Sequence, residues 1–131
     1  SSYTWETAEI NTEAFDGDNI CTLTANQFTL ASGTYRFEAN TLVSTISGTR
    51  SGFRLYNVSD AVQQGVASSY RHPSNSLPLT HQINGVFTLA SSKTLRLEIY
   101  GHTSAEFGGL NPNDSGLGDR DVLSIMLTKI A

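Results

Sequence analysis

Hydrophobic and polar residues alternate one by one along most of this chain. Over 34–43, "TYRFEANTLV", Tyr35, Phe37, Ala39 and Val43 fall on one face and Arg36, Glu38 and Asn40 on the other. Over 52–58, "GFRLYNV", Phe53 and Leu55 stand opposite Arg54 and Tyr56; over 93–100, "KTLRLEIY", Leu95, Leu97 and Ile99 stand opposite Arg96 and Glu98. A period of two predicts half-buried antiparallel strands. Further strands are expected over 4–11, 20–24, 27–30, 63–70 and 79–89. In the last, His81 shares a face with Leu79, Ile83, Phe87 and Leu89. Asn84-Gly85 reads there as a bend or bulge in one strand, because the alternation keeps its phase across it. "DVLSIMLTKI", 121–130, is apolar on both sides: Leu123, Ile125 and Leu127 on one, Val122, Met126 and Ile130 on the other. Its Val, Ile and Thr content predicts a central strand, covered by the core below and a neighbouring subunit above. "SDAVQQGVA" is the best helical candidate, but it is short and holds Gly65.

One phrase occurs twice: "FTLASGTYRFEA" at 28–39 and "FTLASSKTLRLEI" at 87–99. Nothing else recurs at that spacing, so the copies mark two corresponding strand–turn–strand corners and not a tandem repeat. Many short strands with turns between them predict a two-sheet β-sandwich or jelly roll. The connections alternate in length from 27 onward. Ala31–Gly33, Ser59–Val62 and Ala90–Ser92 are short; Ser44–Ser51, Arg71–Pro78 and Gly101–Arg120 are long. Antiparallel strands reverse at each connection, so the long ones gather at one end, with the C-terminus at the other. A connection of about 20 residues is uncommon without a function, and loops on a rigid scaffold carry binding.

Composition narrows the classes. The 131 residues suggest one domain, 1–131, with 1–3 as linker or remnant. Net charge is −4 with 8 Lys and Arg, so no basic stripe supports nucleic-acid or anionic-membrane binding. Cys21 is the only cysteine, in an apolar run, and reads as a small buried side chain. No apolar run approaches the roughly 18 residues of a membrane span. No signal peptide is visible and the first residue is not Met, which suggests a domain cut from something longer.

Catalytic chemistry finds little support. His72, His81 and His102 cannot be assembled with Ser and Asp by spacing, and there is no Gly-x-Ser-x-Gly elbow. Glu106 and Asp114 could pair as glycosidase carboxylates, but two acids in one loop are far more often solvated. No enzyme and no cofactor are expected. "NPNDSGLGDRD" places Asn111, Asn113, Ser115 and Gly116 in partial calcium-loop register, yet Val122 stands where a bidentate Glu is required. Asp114, Asp119 and Asp121 remain possible calcium ligands; Asp119 and Asp121 could equally pair with Arg120 or Arg50. Saccharide recognition fits the loops better, because sugars need planar polar partners and an aromatic face. Tyr70, Arg71, His72, Asn75, His102, Glu106, Phe107, Asn111, Asn113, Asp114 and Arg120 are the receptor-binding candidates. Phe107 serves either as an exposed platform or as an anchor to the core. Trp5 reads as core or subunit-interface packing.

Several phrases in this order resemble a known family: "INTEAFDGDNICTLTANQFTL", "FTLASGTYRFEANTLV", "GFRLYNVSDA", "INGVFTLASSKTLRLEIYGH" and "VLSIMLTKIA". Together they resemble the C-terminal heads of bacteriophage tail fibres, whose jelly roll is shared with complement globular heads and tumour-necrosis-factor-like proteins. The resemblance runs from about residue 4 to the end. It implies a sandwich of about ten strands, assembled as a homotrimer, with 4–11, 34–43, 79–89 and the last strand in the inner sheet. Trp5, Arg36, Val122, Met126 and Ile130 are the trimer-interface candidates. It further implies a virion location at the fibre tip, attachment to a host surface receptor, and a shaft entering at the tight-turn end, where both termini are expected. "SAEFGGLNPNDSGLGDRD", 104–121, is longer and richer in Gly, Asn and Asp than the family's phrasing. Two other classes stay open: a structural cap that only trimerises a fibre, and a secreted cytokine-like or complement-like ligand for a protein receptor.

Overall fold

The computed structural model describes residues 5–8, 10, 19–44, 50–71, 79–101, 106–107 and 123–131, with backbone alone at 42–44, 79, 101 and 106–107. These residues form ten strands and no helix: β1 (Trp5–Thr7), β2 (Cys21–Thr24), β3 (Gln27–Leu30), β4 (Gly33–Ser44), β5 (Arg50–Asn57), β6 (Val62–Arg71), β7 (Leu79–Leu89), β8 (Lys93–Gly101), β9 (Glu106–Phe107) and β10 (Leu123–Lys129). The larger sheet runs β2-β3-β8-β5-β6, with β1 also on β8; the smaller runs β10-β4-β7, with β9 also on β4. Every pairing among the described residues is antiparallel. No helix among them is long and apolar enough to cross a membrane.

The two sheets face each other across one shared core. Phe28, Leu30, Phe53, Leu55, Leu95 and Leu97 enter it from the larger sheet. Tyr35, Phe37, Ala39, Ile83, Phe87 and Leu89 enter from the smaller, with Leu123, Ile125 and Leu127 of β10 half-buried beside them. These are the apolar positions that the period-two pattern selects. Burial pushes the Tyr35 phenol above its ordinary value of 10.0, with Cys21 adding to the shift. The Tyr35 hydroxyl donates to the Ala31 carbonyl at 2.8 Å, which ties the strand to its own turn.

The repeated phrase now has a geometric explanation. β3 pairs with β8 (Phe28 opposite Leu95, Leu30 opposite Lys93), while β4 pairs with β7 (Gly33 opposite Leu89, Tyr35 opposite Phe87). Each copy therefore carries the chain across from one sheet to the other, in opposite senses, and the two crossings lie side by side. The turn after β5 belongs to the same end. Val58 N–H donates to the Thr94 carbonyl at 2.9 Å, and Lys93 Nζ meets Asp60 Oδ1 at 2.7 Å. Ala131 closes it, its carbonyl accepting from Thr34 N–H at 2.9 Å.

Four expectations need correction. Asn84-Gly85 makes no bulge: β7 stays in register with β4 from Leu79 to Leu89. Gly85 is small because the Phe37 ring lies against it; an added Cβ would sit 3.1 Å from Phe37 Cε1. The register shift lies instead between β5 and β6, at Phe53/Leu55, where Gly65 has φ +73°. Among the described residues β10 is an edge strand and not a central one, pairing with β4 alone. β1 is not in the sheet of β4, β7 and β10, because it hydrogen-bonds to β8. Its indole packs over Gly52, and the Arg54 guanidinium lies 4.1 Å from its ring centroid, so the larger sheet's outward face holds it. Finally, the first described strand does not begin at the tight-turn end. Trp5 pairs with Tyr100 near the start of β5, while Ala131 lies at the tight-turn end.

Candidate functional site

The strand ends that carry the long connections do gather at one end. Arg50 faces Arg71, Ser51 faces Gly101, Val43 faces both Leu79 and Phe107, and Leu123 faces Thr41. β9 was not anticipated; two residues are too short for an alternation signal, and they add backbone pairing to the end of β4.

Among the receptor-binding candidates, Tyr70 and Arg71 are exposed at this end. The Tyr70 hydroxyl donates to the Thr80 carbonyl at 3.1 Å, so the ring is held in place. Glu106 and Phe107 are described by backbone only. His72, Asn75, His102, Asn111, Asn113, Asp114 and Arg120 lie outside the described residues, as do the calcium candidates Asp119 and Asp121 and the interface candidate Val122. Among the described residues, no three His, Cys, Asp or Glu side chains form a metal-holding group.

Beneath Tyr70 lies a polar cluster that the alternation alone does not mark. His81 is fully buried, its ring centroid 4.4 Å from that of Tyr70. Ser51 Oγ lies 2.8 Å from His81 Nε2 and Ser68 Oγ 2.7 Å from Nδ1. Each ring nitrogen thus meets a hydroxyl, which can donate or accept to suit the tautomer. Ser51 is itself fully buried, so this serine–histidine contact is closed to an incoming substrate and acts as a brace joining β5, β6 and β7. His81→Leu is expected to cost about 2 kcal/mol, because it removes the ring nitrogens that the Ser51 and Ser68 hydroxyls meet in the interior. Urea denaturation measures this; a cost within 0.5 kcal/mol of zero, roughly the level of an inert surface change, would show that the brace carries no stability.

The outward face of the larger sheet holds a second constellation. Glu98, 2% exposed, accepts from Arg54 (Nε 2.7 Å, Nη2 2.6 Å) and from Arg96 (Nε 2.8 Å, Nη2 2.7 Å). Both guanidiniums also lie over the Tyr56 ring, at 4.6 and 5.5 Å. Arg50 and Arg71 stand on this same outward side by register, two rows from Arg54. The chain shows no basic stripe, yet folding collects Arg50, Arg54, Arg71 and Arg96 on one outward face of β5, β6 and β8, where Arg54 and Arg96 share the Glu98 carboxylate. The signal was an arginine at alternate positions of separate strands, which only strand pairing brings together.

The interface candidates divide. Arg36 and Met126 share the outward face of the smaller sheet, where Thr128 and Val86 flank Arg36, and Ile130 continues that ribbon. Met126 is 60% exposed and Val86 55%. Trp5 lies on the opposite sheet. No protein-family model matches this chain, and no curated protein matches it in sequence.

Proposed function

We propose that this chain is a non-catalytic attachment head: a jelly roll that assembles as a homotrimer at the tip of a phage tail fibre and holds a host surface saccharide with its long connections. The observation that carries the reading is the convergence of the loop-bearing strand ends around exposed Tyr70 and Arg71. Loops on a rigid two-sheet frame can vary without disturbing the core. Three heads on one fibre would multiply weak sites by avidity.

Trimerisation draws on a separate observation. A closed threefold ring needs two different surfaces that fit one another. Two exposed apolar surfaces are present: Val62 and Val66 on edge strand β6, and Val86, Met126 and Ile130 on the smaller sheet. Seating the first on the second would bury both. Light scattering at micromolar concentration is expected to give three chains for the parent and one for Met126→Asp. A monomeric parent would remove the trimer from the proposal.

One observation favours the structural-cap reading. β1 runs from the loop-bearing end toward the tight turns. Polypeptide preceding Trp5 therefore arrives beside the long connections, and a shaft there would have to run back along the head to leave them open. Cell adsorption separates the readings. For an attachment head, shortening 104–118 or Phe107→Ala should reduce binding to host cells and to a glycan array at least tenfold, while the trimer persists. Undiminished adsorption by the shortened head would favour the cap.

A further inference from the structure

The most unusual charge arrangement in the described residues is Arg50 directly opposite Arg71 across β5 and β6. Like charges in directly opposed positions destabilise a sheet. Other cations of this sheet have a carboxylate partner: Arg54 and Arg96 share Glu98, and Lys93 has Asp60. Arg50 and Arg71 are exposed and form no ion pair among the described residues. They stand where two long connections leave the sheet.

The next outward row beneath them is Ser69, Gly52, Tyr100 and Trp5 in succession across β6, β5, β8 and β1. Gly52 has no side chain, and the indole lies against it. Trp5 and Tyr100 form a tilted pair with centroids 5.2 Å apart. The paired guanidiniums are thus bordered by an exposed hydroxyl and an aromatic floor. The protein carries −4 overall, so this face is a positive island on an acidic molecule. That balance opposes a polyanionic nucleic acid and suits a ligand with few, spaced negative charges. A planar carboxylate matches guanidinium donors in the manner Glu98 already illustrates on this face.

We propose that Arg50 and Arg71 clamp the carboxylate of an acidic saccharide, with Ser69 meeting a hydroxyl and the Trp5–Tyr100 pair lying along the sugar's C–H face. The assignment rests on the attachment reading and deepens it, replacing a generic glycan with one bearing a carboxylate.

Calorimetric titration with oligogalacturonate, and with the same oligomers reduced to their neutral galactose form, tests it. The parent is expected to bind the acidic oligomer and not the neutral one, more weakly as salt rises. Arg50→Gln and Arg71→Gln should each weaken binding about tenfold, as loss of a charged hydrogen-bonding partner does. The double variant should bind below detection. Relief of the like-charge contact should leave the melting temperature unchanged or raise it by about 1–3 °C. Loss of binding together with unimpaired stability cannot come from misfolding. Equal binding by the double variant, or by the neutral oligomer, overturns the clamp. So does tighter binding of a single-stranded oligonucleotide. A melting temperature that falls by several degrees also overturns it, because a carboxylate of the chain itself would then occupy the pair. If the double variant adsorbs to host cells like the parent while the shortened 104–118 head does not, the clamp fails and the attachment reading stands. If the parent adsorbs to neither cells nor glycans, both fail.

Discussion

Phe37→Ala should lower the free energy of unfolding by about 4 kcal/mol, the middle of the range for aromatic deletions from cores. Phe37 is fully buried at the middle of β4, its ring 5.8 Å from that of Phe87 at 55°. Its edge rests on two glycines. A Cβ at Gly65 would lie 3.1 Å from Phe37 Cζ, and one at Gly85 3.1 Å from Cε1. The size of the effect follows from that floor. A cavity closes only when neighbouring side chains swing into it, and glycines have none. Gly65 is further pinned by φ +73° at the register shift. Phe37→Leu, which keeps most of the volume, should cost about 1.5 kcal/mol. Urea unfolding of both variants supplies the measurement. An alanine cost below about 2 kcal/mol would mean that the sheets move together over the gap.

Glu98→Gln should cost about 3 kcal/mol, although it changes one atom. The carboxylate uses both oxygens to accept from two guanidiniums at 2.6–2.8 Å. Glutamine turns one of those acceptors into a donor facing donors. Removing one member of a buried ionic network leaves the others uncompensated and typically costs about 3–5 kcal/mol. The lower end applies, because Arg54 and Arg96 keep 18% and 27% exposure and their aromatic faces. The loss should persist in 0.5 M sodium chloride, a salt level at which an exposed pair is screened within about 4–5 Å. A difference from the parent that vanishes in salt would show that the carboxylate is solvated. Because Trp5 rests on Arg54, the variant should also loosen β1, which faster hydrogen exchange at Ala8 N–H, donated to Leu97, would report.

These two residues illustrate what a linear reading can and cannot reach. Phe37 was legible: β4, β7 and β8 follow the alternation almost to the residue, and so do their core faces. Glu98 was placed by phase on the outward side, which is correct, but phase cannot tell that the side is covered. Its acceptors meet arginines 44 and 2 positions away, and the first of these is itself covered by an indole on another strand. The sheet membership of β1 failed for the same reason. "WET" is too short to reveal which face it needs, and the deciding contacts are with Gly52, Arg54 and Tyr100. Gly85 was read as a bend or bulge and proves to be a close approach to Phe37, because a glycine in a strand marks either. The position of Tyr70 and Arg71 at the loop-bearing end was legible from loop arithmetic. Arg50 acquired meaning only once β5 and β6 set it opposite another cation.

The twin crossings between the sheets bear on how the molecule comes into being. β3 and β4 find their partners in β8 and β7, so β4 is not fully paired with β7 until synthesis reaches Leu89, nor β3 with β8 until it reaches Leu95. A nascent chain up to that point exposes unsatisfied strand edges to its neighbours. Such long-range pairing places refolding in the millisecond-to-second regime, orders of magnitude slower than a helical bundle of similar size. Production therefore rewards slow translation and low temperature, and severing the chain at either crossing would leave the β3–β8 pairing to hold the two pieces together.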